Sequence, residues 1–174
     1  MMVEKTISEF LSSEYKEFAM YVIEGRAIPS VIDGFKPTQR KIIHISNQTW
    51  KTGSEKTLKV FQLSGKVASD CYYHHGDASL SNAIITMAQR FKNNAPLLEE
   101  DGQFGSLRSP QAGAPRYIGT KLSENFKLIY KDFELLEYKE EEGESIEPKF
   151  FLPIVPTVLL NGSSGIAVGF ASNV

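Results

Sequence analysis

Between Asn93 and Tyr117 the chain offers the usual pattern of neither a helix nor a half-buried strand. Gly, Pro, Ser and Ala dominate, first in Asp101-Gly102-Gln103-Phe104-Gly105-Ser106 and again in Ser109-Pro110-Gln111-Ala112-Gly113-Ala114-Pro115-Arg116-Tyr117. So long a stretch without secondary structure is uncommon inside a compact domain, and is usually functional or disordered. Helical patterns frame it on both sides. The fold must therefore be a set of helices interrupted by one long loop whose path is set by its backbone.

Upstream, Thr6-Ile7-Ser8-Glu9 has the form of a capping box, and Ile7, Leu11, Phe18 and Val22 follow near helical spacing, with Gly25 and Pro29 as terminators. Pro37 suits the first turn of a second helix carrying Ile42, Ile43, Ile45 and Trp50, which Gly53 stops. A third helix is expected over Leu58–Ser69 and a loop over Tyr72–Gly76. Asp77 is placed to cap a fourth, whose stripe is Leu80, Ile84, Met87, Ala88 and Phe91. Three helices with short turns over 37–91 are compatible with a helix-turn-helix module, as they are with many small helical domains. After the loop, Ile118, Leu122, Phe126, Ile129 and Phe133 predict another helix. The acidic run Glu140–Glu147, broken by Gly143 and closed by Pro148, predicts an exposed turn. Phe150–Leu160, punctuated by Pro153 and Pro156, reads as β-rich. Ending at Val174, in an apolar segment punctuated by glycine, is expected of a fragment.

Composition excludes several classes. With 41% hydrophobic residues and a mean hydropathy of −0.22, the 174-residue chain reads as a soluble globular protein of one domain, or of one domain and the start of another. No apolar run approaches the roughly 18 residues of a spanning helix, and no signal-peptide pattern follows Met1. The single cysteine, Cys71, rules out a disulfide framework and fits a reducing cytoplasm. The net charge of −2 argues against nucleic acid until it is divided along the chain: −3 over residues 1–25, +7 over 26–131 and −6 over 132–174. A central block of +7 suffices for a basic face, or is solvated helix charge with no partner.

The chemistry the residues permit is narrow. No G-x-x-x-x-G-K-[ST] loop announces ATP, and no CxxC, HExxH or Asp-x-Asp gathers a metal. His74-His75-Gly76-Asp77 is a thin ligand set, and a histidine there serves equally as a donor to phosphate or as surface packing. Arg116-Tyr117 is the sharper pair. A tyrosine in such a loop either packs its ring at the start of the next element or acts as a nucleophile. The second role needs a base or nearby cations, because a phenol titrates at about 10. Those cations would also stabilise a phosphoryl transition state. Asn161-Gly162-Ser163-Ser164-Gly165-Ile166-Ala167-Val168-Gly169 is an ordinary turn between strands, or it presents Ile166 as an apolar wedge of the kind that kinks DNA.

Six segments together resemble the DNA-cleaving region of type IIA topoisomerases, in that family's order. They are Glu24–Pro29 with Asp33-Gly34-Phe35-Lys36-Pro37-Thr38-Gln39-Arg40-Lys41, Gln62–Ala68, Tyr73-His74-His75-Gly76-Asp77, Gly102–Gly105, Ala114-Pro115-Arg116-Tyr117 and Asn161–Ile166. The versions at Gln39 and Tyr73 look more like the eukaryotic and T-even phage enzymes than like bacterial gyrase, which carries His at both places. A start so close to Met1 suggests a split enzyme of the T-even phage type, with its cleavage subunit on a separate chain.

The resemblance implies an α+β chain. Residues 1–25 would be an N-terminal helix, 26–139 a mostly helical winged-helix domain of the catabolite-activator type, and 140–174 the first β-strands of a tower domain. It implies that Tyr117 forms a 5′-phosphotyrosyl link to DNA, with Arg116, His75 and Arg26 at the scissile phosphate. Lys36, Arg40, Lys41 and His74 would hold the DNA, and Ile166 would intercalate to bend it. It further implies double-stranded DNA and a second copy of the chain as partners. Mg²⁺ would be held by a partner's Toprim domain and ATP by a partner subunit, with no metal held by this chain and no membrane. The activity implied is ATP-dependent strand passage on replicating DNA in the cytoplasm of the host cell. The alternatives are a non-catalytic winged-helix DNA-binding module and a helical interaction domain with no DNA affinity.

Overall fold

Proline lacks an N–H and holds φ near −65°, so Pro37 starts a helix at no cost, and α3 runs Pro37–Trp50. The computed structural model describes residues 5–51, 53, 56–73, 75–141 and 143–174. Before α3 come α1 (Ile7–Ser12), α2 (Glu14–Val22) and a π-helical turn (Ile23–Ala27). Thr6 and Glu9 form the expected capping box of α1. Gly25 does not end the segment: the turn carries on to Ala27, and the Ile28 N–H closes it on the Ile23 carbonyl at 3.1 Å.

Strand β1 (Leu58–Lys59) leads into α4 (Val60–Asp70), so the helix expected from Leu58 begins two residues later. Helices α3 and α4 start alike. The backbone N–H of Lys36 donates to Gln39 Oε1 at 2.9 Å, and that of Lys59 to Gln62 Oε1 at 3.0 Å. Helix α5 (Asp77–Ala88) has Gly76, not Asp77, at its cap position, and it ends before Phe91. Ile42, Ile43 and Ile45 of α3 bury against Val60, Leu63 and Val67 of α4 and Leu80 and Ile84 of α5. Burying each of these side chains fully stabilises the fold by about 1.5–3 kcal/mol.

The long loop contains one strand, β2 (Leu98–Asp101), and is followed by β3 (Gly119–Leu122) rather than by a helix. Apolar residues four apart also share one face of a strand. Ile118, Thr120 and Leu122 all turn into the core, and β3 pairs antiparallel with β1 on one side and β2 on the other. A helix starts only where Ser123 caps it: its Oγ accepts the Phe126 N–H, and α6 spans Glu124–Ile129. A 3₁₀ turn follows at Phe133–Leu135.

The remaining strands fall outside the stretch expected to be β. Strands β4 (Tyr138–Glu141) and β5 (Glu144–Pro148) form a hairpin around Gly143, whose φ is 83°. Phe150–Pro156 is irregular, α7 covers Thr157–Asn161, and β6 (Ser164–Ala167) pairs with β7 (Phe170–Asn173). Pro153 and Pro156 donate no ladder hydrogen bond, which disfavours a strand there. The expected boundary between 139 and 140 lies inside β4. Beyond it, Ile146 and Phe151 enter the same core as the helices, Phe151 edge-on to Phe35 at 5.9 Å and to Tyr130 at 5.7 Å.

Candidate active site

Tyr117 stands two residues before Gly119, and β3 fixes its position from both sides: Gly119 pairs with Lys59 of β1 and with Asp101 of β2. The turn itself is held by its backbone. The Tyr117 N–H donates to Ala114 O at 2.8 Å, and the carbonyls of Pro115 and Ile118 accept the first N–H groups of α4, from Phe61 and Val60, at 3.1 and 3.0 Å. Lys59 Nζ donates to the Tyr117 carbonyl at 2.8 Å. With its main chain so tied, the Tyr117 side chain is 70% exposed. The Arg116 guanidinium lies 5.2 Å from the centre of its ring. This is the opposite of Tyr130, buried with its hydroxyl donating to Asp33 O at 3.3 Å and its pKa raised by burial.

A second pair forms across the chain. Arg26 Nη2 meets His75 Nδ1 at 2.5 Å, and the His75 ring lies edge-on to Tyr73 at 5.2 Å. A guanidinium only donates, so His75 Nδ1 is the acceptor and the ring proton of a neutral His75 sits on Nε2. Among the described residues, the two pairs share no hydrogen bond. At the start of α5, Asp77 and Ala78 line with Arg116, Pro115 and Phe61 an open apolar groove of about 600 Å³. His74 lies outside the described residues.

The residues expected to hold DNA divide. Lys36 is half-buried and donates from Nζ to Ser164 O at 2.5 Å, and partial burial lowers its pKa. Ile166 projects from the β6–β7 hairpin, 89% exposed. Arg40 and Lys41 have partners within the fold. The Arg40 side chain is 5% exposed and grips Asp33 through two hydrogen bonds, of 2.7 and 2.9 Å, with a third to Phe35 O at 3.0 Å. Lys41 donates to Glu147 at 2.8 Å and to Cys71 O at 2.6 Å. Arg40 is buried in its ion pair, and Lys41 keeps partial exposure beside Glu147. Glu147, expected on an exposed turn, is buried between Lys41 and Lys139.

Two contributors had no sequence signal assigned to them. Lys59 reaches the Tyr117 turn only because β1 pairs with β3. Asp33, quoted within the Asp33–Lys41 motif but given no role, is fully buried and organises the surroundings of α3. Besides Arg40, its carboxylate accepts the Phe35 and Phe151 N–H groups, each at 3.0 Å, and its carbonyl accepts Thr157 Oγ1 at 2.7 Å. No three His, Cys, Asp or Glu among the described residues converge as a metal would require. No helix among them is long and apolar enough to cross a membrane.

This α+β fold is shared with a type II topoisomerase. One three-dimensional match is the Plasmodium falciparum topoisomerase II DNA-binding, cleavage and re-ligation domain, at a TM-score of 0.83 and 40% identity over 95% of this chain and 23% of that one. Residues 26–174 match the family model for the A subunits of DNA gyrase/topoisomerase IV, and the chain belongs to that family. It is 44% identical to the DNA topoisomerase medium subunit of Enterobacteria phage T4 over 97% of this chain and 38% of that protein. It is equally, at 44%, identical to DNA topoisomerase 2 of Crithidia fasciculata, of which it covers 14%. The chain thus spans well under half the length of these relatives.

Proposed function

We propose that this chain is part of the DNA breakage-rejoining subunit of an ATP-dependent type II DNA topoisomerase, with Tyr117 as its nucleophile. The observation that carries the reading is an exposed tyrosine, beside an arginine, on a turn whose main chain is anchored to β1, β3 and α4. Tyr117 Oη attacks a backbone phosphorus of duplex DNA and gives up its proton. The bond to the sugar 3′-oxygen breaks, and that oxygen leaves as a hydroxyl after taking up a proton. The product is a 5′-phosphotyrosyl ester, and the reverse attack by the 3′-hydroxyl reseals the strand. Arg116 beside Tyr117, and Arg26 with His75, supply positive charge and N–H donors where negative charge accumulates on phosphorus oxygens.

In this reading helices α3, α4 and α5 with the sheet β1-β3-β2 make a winged-helix domain, 26–139, preceded by the N-terminal helical segment 1–25. The hairpins of 140–174 begin a tower domain. Lys36 and Ile166 face the DNA, and Ile166 enters between base pairs. A second copy of the chain cuts the other strand. Mg²⁺ and ATP are supplied by a partner's Toprim and ATPase domains, and the assembly works on DNA in the cytoplasm.

Tyr117→Phe, assayed in the enzyme reconstituted with its partner subunits, should abolish denaturation-resistant protein–DNA adducts while DNA binding stays near wild type. Adducts that persist would exclude Tyr117. An enzyme that binds DNA in a salt-sensitive way, yet forms no adduct even with Tyr117 present, would leave only a non-catalytic DNA-binding module.

A further inference from the structure

Strand β6 lies on the π-helical turn with nothing between the two main chains. A Cβ built on Gly165 would stand 2.1 Å from the Ala27 carbonyl oxygen, 2.9 Å from its carbon and 3.1 Å from its Cα. Ala27 is itself buried, the one buried residue of the turn. Opposite Gly165 in the hairpin is Ser172, whose Oγ is buried and finds no hydrogen-bond partner among the described residues. Side chains alternate along a strand. Gly165 and Ser172 therefore face the turn, while Ile166, the next residue, faces solvent.

The hairpin is held at its base as well. Ser163 and Val174 exchange two backbone hydrogen bonds, of 3.2 and 2.8 Å, and Lys36 from the start of α3 holds the Ser164 carbonyl. On the other side of the contact, Arg26 immediately precedes Ala27 and reaches His75. Close-packed main chains transmit a displacement, because no flexible side chain between them absorbs it.

We infer that Gly165 is a positioning residue: by letting the Ile166 hairpin rest backbone-to-backbone on the turn that carries Arg26, it couples seating of Ile166 in DNA to placement of the Arg26–His75 pair. The inference rests on the proposed roles of Tyr117 and Ile166. Through this contact the bend in the DNA is read at the site of cleavage. A duplex that does not accept the wedge leaves the hairpin, and with it Arg26, in the wrong place.

The test is Gly165→Ala in the reconstituted enzyme, with three readouts on one fluorophore-labelled duplex: affinity, bending by energy transfer between its ends, and rate of adduct formation. Binding and bending should stay close to wild type because Ile166 is still present. Adduct formation should fall about tenfold to a hundredfold, as expected for a misplacement on the ångström scale. Ser172→Val, which pushes on the same contact more gently, should shift adduct formation in the same direction by less. Wild-type adduct rates in Gly165→Ala would overturn the inference, as would a loss matched by equal losses of binding and bending. Should Gly165→Ala fail to fold, Ser172→Val decides, and unchanged adduct formation there overturns it. Persistence of adducts in Tyr117→Phe is a separate result, which sinks the proposed nucleophile and not the contact.

Discussion

Two arginines in the same basic block, Arg40 and Arg116, have opposite fates. Arg40 is buried in a bidentate pair with a fully buried aspartate, and through Asp33 it ties the start of α3 to Phe151 and Thr157, more than a hundred residues away. Arg116 is exposed, held only by its place in a turn, with its guanidinium against the ring of Tyr117. The buried cation is part of the scaffold, whereas the exposed one is available to a phosphate. Counting charges along the chain treats them as equal, yet only side chains left outside the ion pairs of the core can contribute to a basic face.

This contrast can be broken most severely from the buried side. Asp33→Ala would leave Arg40 buried and unpaired, and should cost about 3–5 kcal/mol of stability, read as a lowered urea midpoint. Replacing Arg40 by Met in the same chain should recover much of that loss. A double variant no more stable than the single one would show that Arg40 is not held by Asp33 alone. The exposed arginine should behave in reverse. Arg116→Ala should leave the urea midpoint within about 0.5 kcal/mol of wild type. Its adduct formation should nonetheless fall about a hundredfold to a thousandfold, as for other groups that stabilise transition-state charge. An Arg116→Ala protein that is unstable but cleaves normally would reverse the assignment.

The smallest effect concerns His44, which is buried near the Lys41–Glu147 pair and hydrogen-bonded to Gln48 at 2.9 Å. Burial lowers its pKa from the ordinary 6.5, so below neutrality the unfolded chain binds protons more readily than the fold does. The stability tied to neutral His44 is therefore complete above the unfolded value, and it drains away as pH falls through the lower, folded one. His44→Gln removes that titration, so unfolding curves on the two sides of pH 6.5 should lie closer together than in wild type. An unchanged gap would assign the acid sensitivity to other groups.

Much of the scaffold was legible. The capping box at Thr6, the start of α3 at Pro37, the approximate span of α4 and the stripe of α5 rest on local rules of spacing and capping, which neighbouring residues satisfy among themselves. Legibility failed where two local patterns coincide. The stripe from Ile118 serves a strand as well as a helix, and only pairing with β1 and β2 selects the strand. The same limit applies to the site. Arg116 and Tyr117 are adjacent and can be read together, but Arg26 and His75 stand 49 residues apart, and Lys59 reaches the Tyr117 turn across 58.

By itself, then, the sequence determined the helices from Thr6 to Ala88, where the long loop falls, and which motifs place the chain among the type IIA topoisomerases. Those properties depend on residue types at short spacing. The tertiary structure alone decided which cations remain available: Arg40 and Lys41 turn inward to Asp33 and Glu147, while Arg26, Lys36 and Arg116 stay at the surface or its margin. It alone brought Gly165 onto Ala27. Ion pairing and close packing depend on distances in space, and those exist only once the chain has folded.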